Sequence, residues 1–299
     1  MSNASPLAAY LAAALTFWAS SAGAAPQALA DVPILADFPQ ISVVADIGNH
    51  PEVHCILDTG SSIGILHSGL TTGASRIGAA NMHVANGTIA MPIFEVRKVA
   101  IGSADMSFVK FMQRDHSWFD PSVHLPCVIG SDFMKHFTVD FDGAAGRVRL
   151  YPGGTRIDEI LGSVPPAGTH LDTRIIAGLI RVDTMVGSTK AYSEIDTGWN
   201  LATANWELLR ALGFAADDAR IHSVSKTQPD GKQKTWKLSE VDQVRIGTLH
   251  ADKVKINVGD ADMSHIAAQN GPYLHIGSEL LRKHRLVIDY AHADVALIP

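Results

Sequence analysis

The stretch Ile56-Leu57-Asp58-Thr59-Gly60-Ser61-Ser62 recurs in the second half of the chain as Glu194-Ile195-Asp196-Thr197-Gly198. Each copy ends a run of β-type residues and comes just before a turn, where glycine is tolerated at little steric cost. We therefore interpret the two Asp-Thr-Gly tripeptides as equivalent turns, one in each half of the chain.

Other landmarks follow both tripeptides in the same order. Val99-Ala100-Ile101-Gly102 is echoed by Val244-Arg245-Ile246-Gly247, and Gly130 is echoed by Gly277. The offset between Gly130 and Gly277 also aligns, without a gap, Asp142 with Asp289, Val148 with Val295, Leu150 with Leu297 and Pro152 with Pro299. Chance similarity does not account for this ungapped match, so we interpret the chain as an internal duplication.

Hairpin signals dominate both halves. Asn86-Gly87, for example, suits a two-residue type I′ turn between alternating runs. The pattern predicts an all-β fold, mostly β with a few short helices. The glycines and prolines near residues 153–168 indicate a linker between an N-terminal lobe, residues 31–152, and a C-terminal lobe, residues 169–299.

The first 24 residues have the features of a secretory signal peptide. An Ala-rich apolar run, too short to span a bilayer, precedes Ala22-Gly23-Ala24, which fits the small-residue pattern of a cleavage site. The segment before the run carries no Lys or Arg, and the alternative is an uncleaved apolar anchor. We expect an exported protein, periplasmic or secreted, with no membrane span once the signal is removed.

Composition narrows the function further. The chain has 299 residues, 46% of them hydrophobic, and a formal net charge of −6. The hydrophobic content argues against disorder, and the acidity without a basic stripe argues against nucleic-acid binding. The chain has fourteen histidines but no H-E-x-x-H and no Cys/His cluster with ligand spacing. We expect no metal, no cofactor and a monomeric protein.

The two aspartates imply a definite chemistry if the halves bring them together. Two carboxyl groups within hydrogen-bonding distance hold one proton between them, so Asp58 and Asp196 would act as one acid and one base. Thr59 and Thr197 supply hydroxyls that can bond across the two halves. Gly60 and Gly198 permit sharp turns that bring N–H groups to the carboxylates.

These residues resemble the aspartic peptidases of the pepsin and retropepsin type. The resemblance rests on both Asp-Thr-Gly turns, on Val128-Ile129-Gly130 and its partner His275-Ile276-Gly277, and on Ala85-Asn86-Gly87-Thr88, which is similar to a flap. It implies a bilobal acid-protease fold, with two closed-barrel-like β lobes related by pseudo-twofold symmetry. It also implies an endopeptidase with Asp58 and Asp196 as its catalytic pair, supported by Ser61 as in pepsin-like lobes.

The same resemblance places each aspartate strand beside the strand that ends in the Gly landmark. Cys55 and Cys127 would then be neighbours, either as a disulfide or as a buried pair of free thiols. The corresponding residues of the second half are Ser193 and Leu274, so a disulfide would not be duplicated.

The second half departs from the family pattern around its aspartate. Trp199 follows the turn, and Glu194 and His275 replace the apolar Ile56 and Val128 of the first half. The expectation is a polar subsite opposite an apolar one, and the alternative is a Glu–His pair that satisfies itself. Further cleft candidates are Asn86, Gly87 and Trp236, on the two flap-like hairpins. A peptide-binding protein without catalysis on the same fold is the alternative function.

Overall fold

A computed structural model of the chain describes residues 25–84, 87–114, 125–163, 165–227, 233–259 and 271–299. The protein is mostly β, with 53% of its residues in strands and 10% in helices, which confirms the expected fold class at that level. The proposed signal peptide, Asn86 and the Asp230-Gly231 hairpin tip lie outside the described residues.

The first half contributes ten strands to the described part of the chain. They are β1 (Ala30–Pro33), β2 (Ser42–Ile47), β3 (His50–Leu57), β4 (Gly64–His67), β5 (Ser75–Val84), β6 (Gly87–Ile101), β7 (Ala104–Arg114), β8 (Cys127–Ile129), β9 (Phe137–Asp142) and β10 (Arg147–Pro152).

The second half contributes the remaining described strands. They are β11 (Thr173–Ile176), β12 (Leu179–Val186), β13 (Thr189–Ile195), β14 (Ala202–Ala204), β15 (His222–Thr227), β16 (Gln233–Val241), β17 (Val244–Ile246), β18 (Leu249–Ala251), β19 (Val254–Val258), β20 (Tyr273–Ile276), β21 (Arg285–Asp289) and β22 (Asp294–Ile298).

The helices are short, and each follows a strand in the chain. Within the described ranges they are α1 (Ser131–Met134), α2 (Ile157–Leu161), α3 (Trp206–Ala211) and α4 (Ser278–Leu281), with one 3₁₀ turn at Ser68–Thr71. No helix in these ranges is long and apolar enough to cross a membrane.

A closed barrel forms in the first half. Its sheet runs β2-β3-β8-β4-β7-β6-β5, and the additional pairing of β2 with β6 closes the first six of these strands into a ring. Alternation along β2 explains the inner wall: Val43, Ala45 and Ile47 are buried, whereas Val44 and Asp46 between them are more exposed. Successive side chains of a strand point to opposite faces, so one face fills the barrel.

The sheet of the second half has a closely related strand order. It runs β18-β17-β12-β13-β20-β14-β19-β16-β15, with β11 added beside β12. The segment β12-β13-β20-β14-β19-β16-β15 therefore repeats the order of the first sheet, strand for strand. In both sheets the strand that ends at an Asp-Thr-Gly turn lies beside the strand that ends at a Gly landmark.

A third sheet joins strands from both halves, in the order β1-β10-β9-β21-β22. Strands β9 and β21 pair antiparallel, with Asp140 opposite Val287. The segment interpreted as a linker contains α2, whose Ile157 is buried against Val287 and Ala296 of this sheet.

Candidate active site

The two aspartates leave their sheets at equivalent points. Strand β3 runs parallel to β8 with Leu57 opposite Ile129, and the N–H of Asp58 donates to the carbonyl of Ile129 at 3.0 Å. Strand β13 runs parallel to β20, and the N–H of Asp196 donates to the carbonyl of Ile276 at 2.9 Å. Each Asp-Thr-Gly turn thus begins where its strand pairing ends.

The threonines tie the two turns together. The N–H of Thr59 donates to Oγ1 of Thr197, and the N–H of Thr197 donates to Oγ1 of Thr59, both at 3.1 Å. Each hydroxyl also donates across the halves, Thr59 to the carbonyl of Ile195 at 2.8 Å and Thr197 to that of Leu57 at 2.5 Å. Both threonines are fully buried, so these bonds are shielded from water and fix the turns relative to each other.

The glycines allow the carboxyl groups to approach. A methyl group on Gly198 would lie 2.6 Å from Oδ1 of Asp58, and one on Gly60 would lie 2.9 Å from Oδ1 of Asp196. Any larger residue at either position would collide with the opposite carboxylate. Each carboxyl group therefore lies against the glycine of the opposite turn, and the charge of Asp196 raises the pKa of Asp58.

Backbone N–H groups of the turns also reach the carboxylates. Gly60 donates to Oδ1 of Asp58 at 2.8 Å. Gly198 and Trp199 both donate to Oδ1 of Asp196, at 2.7 and 3.0 Å. The N–H of Ser61 instead donates to the backbone carbonyl of Asp58, and its hydroxyl donates to the carbonyl of Ile63 at 2.7 Å.

The second half adds an imidazole to the pair. Nε2 of His275 lies 2.8 Å from Oδ2 of Asp196, and Nδ1 of the same ring lies 3.2 Å from the hydroxyl of Tyr273. The Trp199 ring meets the His275 ring edge-on, with centroids 6.1 Å apart. The side chain of Asp196, which is 11% exposed, is therefore largely enclosed by donors.

The surroundings shift the pKa values of the two aspartates in opposite directions. Burial raises the pKa of Asp58, and the neighbouring charge of Asp196 raises it further. Burial also acts to raise the pKa of Asp196, but the hydrogen bond and charge of His275 outweigh it and lower the pKa below its ordinary value. Burial disfavours the charged imidazole of His275, yet Asp196 and Glu194 raise its pKa.

Glu194 lies beside His275 in the strand register and opposite Arg181 on β12. Its side chain is 2% exposed, and Oε2 makes no hydrogen bond to the described residues. Nε of Arg181 is 3.8 Å from that oxygen and is also without a hydrogen-bond partner in the described part of the chain. Burial is the main cause that raises the pKa of Glu194 to about 7.

The corresponding positions of the first half are apolar. Ile56 lies opposite Val128 in the register. Both are buried in a small cluster with Met91 and Met112, against which Phe38 packs. The surroundings of the two aspartates therefore differ in polarity, as the substitutions in the sequence indicate.

The remaining cleft candidates are Trp199, Trp236, Asn86 and Gly87. Trp199 is 39% exposed, and its indole N–H donates to Thr203 at 3.1 Å. Trp236 lies on β16, half-buried and opposite Val224 of β15. Gly87 begins β6, while Asn86 falls outside the described residues.

Cys55 and Cys127 lie opposite each other in the pairing of β3 with β8 and form a disulfide. Both are fully buried. Among the described residues, no group of three or more His, Cys, Asp or Glu side chains is arranged to hold a metal ion.

Among the described residues near the pair, four were not selected from the sequence: Tyr273, Arg181, Tyr192 and Tyr290, the last close enough to Asp58 for that charge to raise its pKa. Strand periodicity could have found two of them, because Tyr273 and Tyr192 lie two residues before His275 and Glu194 on the same faces. Arg181 is reached only through its register with Glu194 across the strands. The Tyr192 ring lies 5.9 Å from the Arg181 guanidinium and 6.2 Å from the Tyr273 ring.

Comparisons with protein-family models and with the curated proteins found no match to this chain.

Proposed function

We propose that the chain is an aspartic endopeptidase, in which Asp58 and Asp196 activate a water molecule for attack on a peptide carbonyl. The observation that carries the proposal is the buried exchange of hydrogen bonds between Thr59 and Thr197. It holds two carboxyl groups face to face, although like charges at that separation repel. A structural turn has no need of this arrangement.

The chemistry follows from the shared proton. One member of the pair, as a carboxylate, takes a proton from water, while the other, as a carboxylic acid, donates one to the substrate carbonyl oxygen. The opposed pKa directions of Asp58 and Asp196 favour this singly protonated state. No covalent intermediate is required.

We further propose that the fold is bilobal and pseudo-twofold, with lobes close to residues 31–152 and 169–299. The repeated strand order supports this, and so does the register of the third sheet. Asp140 pairs with Val287, and these are also the residues that the internal duplication aligns. Their neighbours Phe141 and Leu286 pair in the same way about that point.

One chain supplies both aspartates, which supports a monomer acting on a peptide or protein substrate. Residues 1–24 support export to the periplasm or the medium. The disulfide between Cys55 and Cys127 is in keeping with an oxidising compartment.

A peptide library tests the proposal. The purified protein is incubated with mixed peptides from about pH 3 to about pH 8, and new termini are identified by mass spectrometry. We expect cleavage by the wild type and by Asp172→Asn, which removes an exposed carboxylate, and none by Asp58→Asn. Absence of cleavage by the wild type at every pH, or equal cleavage by Asp58→Asn, contradicts the proposal.

A second candidate is a peptide-binding protein that does not cleave. The observation that favours it is that both carboxylate oxygens of Asp196 already accept hydrogen bonds from the protein, Oδ1 from Gly198 and Trp199 and Oδ2 from His275. Under this alternative, the library peptides bind to the wild type without being cut, and Asp58→Asn leaves their affinity largely unchanged.

A further inference from the structure

The two aspartates differ in the number of donors that the protein offers them. Among the described residues, the carboxylate of Asp196 accepts from three groups: the N–H groups of Gly198 and Trp199 and the ring of His275. In the same residues the carboxylate of Asp58 accepts only from the N–H of Gly60. Donors to a carboxylate favour its charged form, so this geometry favours the anion on Asp196.

His275 has no polar counterpart in the first half. Strand register places Val128 opposite Ile56 where His275 lies opposite Glu194. A valine side chain can neither donate a hydrogen bond nor carry a charge. The imidazole therefore breaks the equivalence that the duplicated turns would otherwise have.

The groups around His275 are consistent with an imidazolium. Asp196 and Glu194 of the β13 segment face it, and Tyr273 accompanies it on β20. Arg181 of β12 approaches from the far side of Glu194, and Thr203 of β14 lies opposite His275 in the register. A protonated ring can donate from both nitrogens, to Oδ2 of Asp196 and to the Tyr273 hydroxyl oxygen.

We propose that His275 is a positioning residue that binds Asp196 as an imidazolium, so that Asp196 is the base and Asp58 carries the proton of the pair. In this assignment Asp196 takes the proton from water and Asp58 donates its proton to the substrate carbonyl oxygen. The opposed pKa directions of the two aspartates agree with it. The inference rests on the proposed function and adds to it the identity of the acid and the base.

A consequence is that activity extends to low pH. Protonation of Asp196 abolishes the base, and the charge of His275 delays that protonation as pH falls. Without the imidazolium, Asp196 gains its proton at a higher pH, and the acidic limb of the kcat/KM profile moves upward. Since kcat/KM reports ionisation in the free enzyme, this is the parameter to follow.

The test compares wild type, His275→Val and His275→Gln on one library-derived peptide. Valine reproduces the residue of the first half, whereas glutamine keeps a neutral donor without the charge. We expect the ratio of kcat/KM at about pH 3 to that at about pH 6 to fall about tenfold in His275→Val, and by less in His275→Gln. An unchanged ratio in both folded variants overturns the proposal.

Nitrogen-15 NMR of the imidazoles gives a readout that needs no activity. The His275 signals are identified by their loss in His275→Gln. We expect a ring still protonated near pH 7 in the wild type and neutral in Asp196→Asn; a ring already neutral in the wild type overturns the proposal. If no peptide is cleaved, the proposed function fails while this result still decides the ion pair.

Discussion

Thr59 and Thr197 exchange backbone-to-hydroxyl hydrogen bonds of equal length, 3.1 Å in each direction, across the two halves of the chain. Each hydroxyl is at once the acceptor of its partner's N–H and the donor to a carbonyl of the other half. Removal of one hydroxyl leaves an N–H and a carbonyl buried without partners, which is more costly than the loss of one exposed bond.

We expect Thr59→Val and Thr197→Val each to lower the free energy of unfolding by about 1–3 kcal/mol. The matched control is Thr184→Val. Thr184 is 1% exposed, and its hydroxyl makes no hydrogen bond within the described residues. Valine at this site should be neutral or stabilising. The free energies are measured by denaturant unfolding. Equal destabilisation at the three sites would mean that side-chain shape, and not the loss of hydrogen bonds, causes the effect of the Thr→Val changes.

The disulfide between Cys55 and Cys127 closes a long segment, because the cysteines are 72 residues apart. Its loss frees the unfolded chain, and we expect reduction to lower the free energy of unfolding by about 4 kcal/mol. Urea unfolding with and without reductant measures this, with thiol titration to establish the oxidation state. The control is the Cys55→Ala/Cys127→Ala protein, whose stability should not respond to reductant.

Asp140, on β9 of the first half, forms ion pairs with Arg149 on β10 and with Arg285 on β21 of the second half. It is fully buried and accepts two bonds from Arg285, both at 2.8 Å, and one from Arg149 at 3.1 Å. We expect Asp140→Asn to lower the free energy of unfolding by about 3–5 kcal/mol, since the partly buried Arg285 loses the carboxylate that it binds through two hydrogen bonds. Arg149 keeps Asp142 and Asp31 as partners.

The exposed Lys98–Asp105 pair provides the comparison for Asp140. Its charged atoms are 3.7 Å apart, and the two side chains are 61% and 47% exposed. Asp105→Asn should change the free energy of unfolding by about 1 kcal/mol or less. A loss at Asp140 no larger than that at Asp105 would contradict a structural role for the buried charge.

Glu194 should make stability depend on pH. Its folded pKa is about 7 against an ordinary 4.5, so below pH 4.5 it is protonated in both states and costs nothing. As pH rises from 4.5 to about 7, Glu194 loses its proton in the unfolded state but keeps it in the folded state. The free energy of unfolding therefore falls by about 3 kcal/mol. Above about pH 7 the loss is complete.

The check is the difference in unfolding free energy between Glu194→Gln and wild type at several pH values. Glutamine cannot ionise, so the variant should gain on the wild type between pH 4.5 and pH 7. The matched control is Glu240→Gln, which makes the same change at an exposed glutamate. A difference that is flat with pH for Glu194→Gln would refute the predicted titration.

The sequence predicts local structure well where residues of one type recur at a fixed spacing. Strand alternation in Val43, Ala45 and Ile47 gives the β class, and the paired Asp-Thr-Gly turns locate Asp58 and Asp196. In both cases the pattern depends on neighbours a few residues apart, which a single chain displays directly.

Long-range contacts are less visible. Nothing local to Asp140 indicates that Arg285 will meet it, because arginines in alternating strands usually face water. Likewise, strand order brings His275 beside Glu194, but only side-chain direction decides that its ring reaches Asp196. The short helix α2 lies in a segment whose glycines and prolines resemble a linker, and its packing depends on distant Val287.

The most direct test of the account is the kcat/KM of one cleavable peptide for the wild type, Asp58→Asn, Asp196→Asn and the double variant. If the aspartates act as one unit, each single variant loses about a hundredfold to ten-thousandfold in kcat/KM, and the double variant is little worse than either. Retention of wild-type kcat/KM by either single variant would contradict the assignment of Asp58 and Asp196 as the catalytic pair.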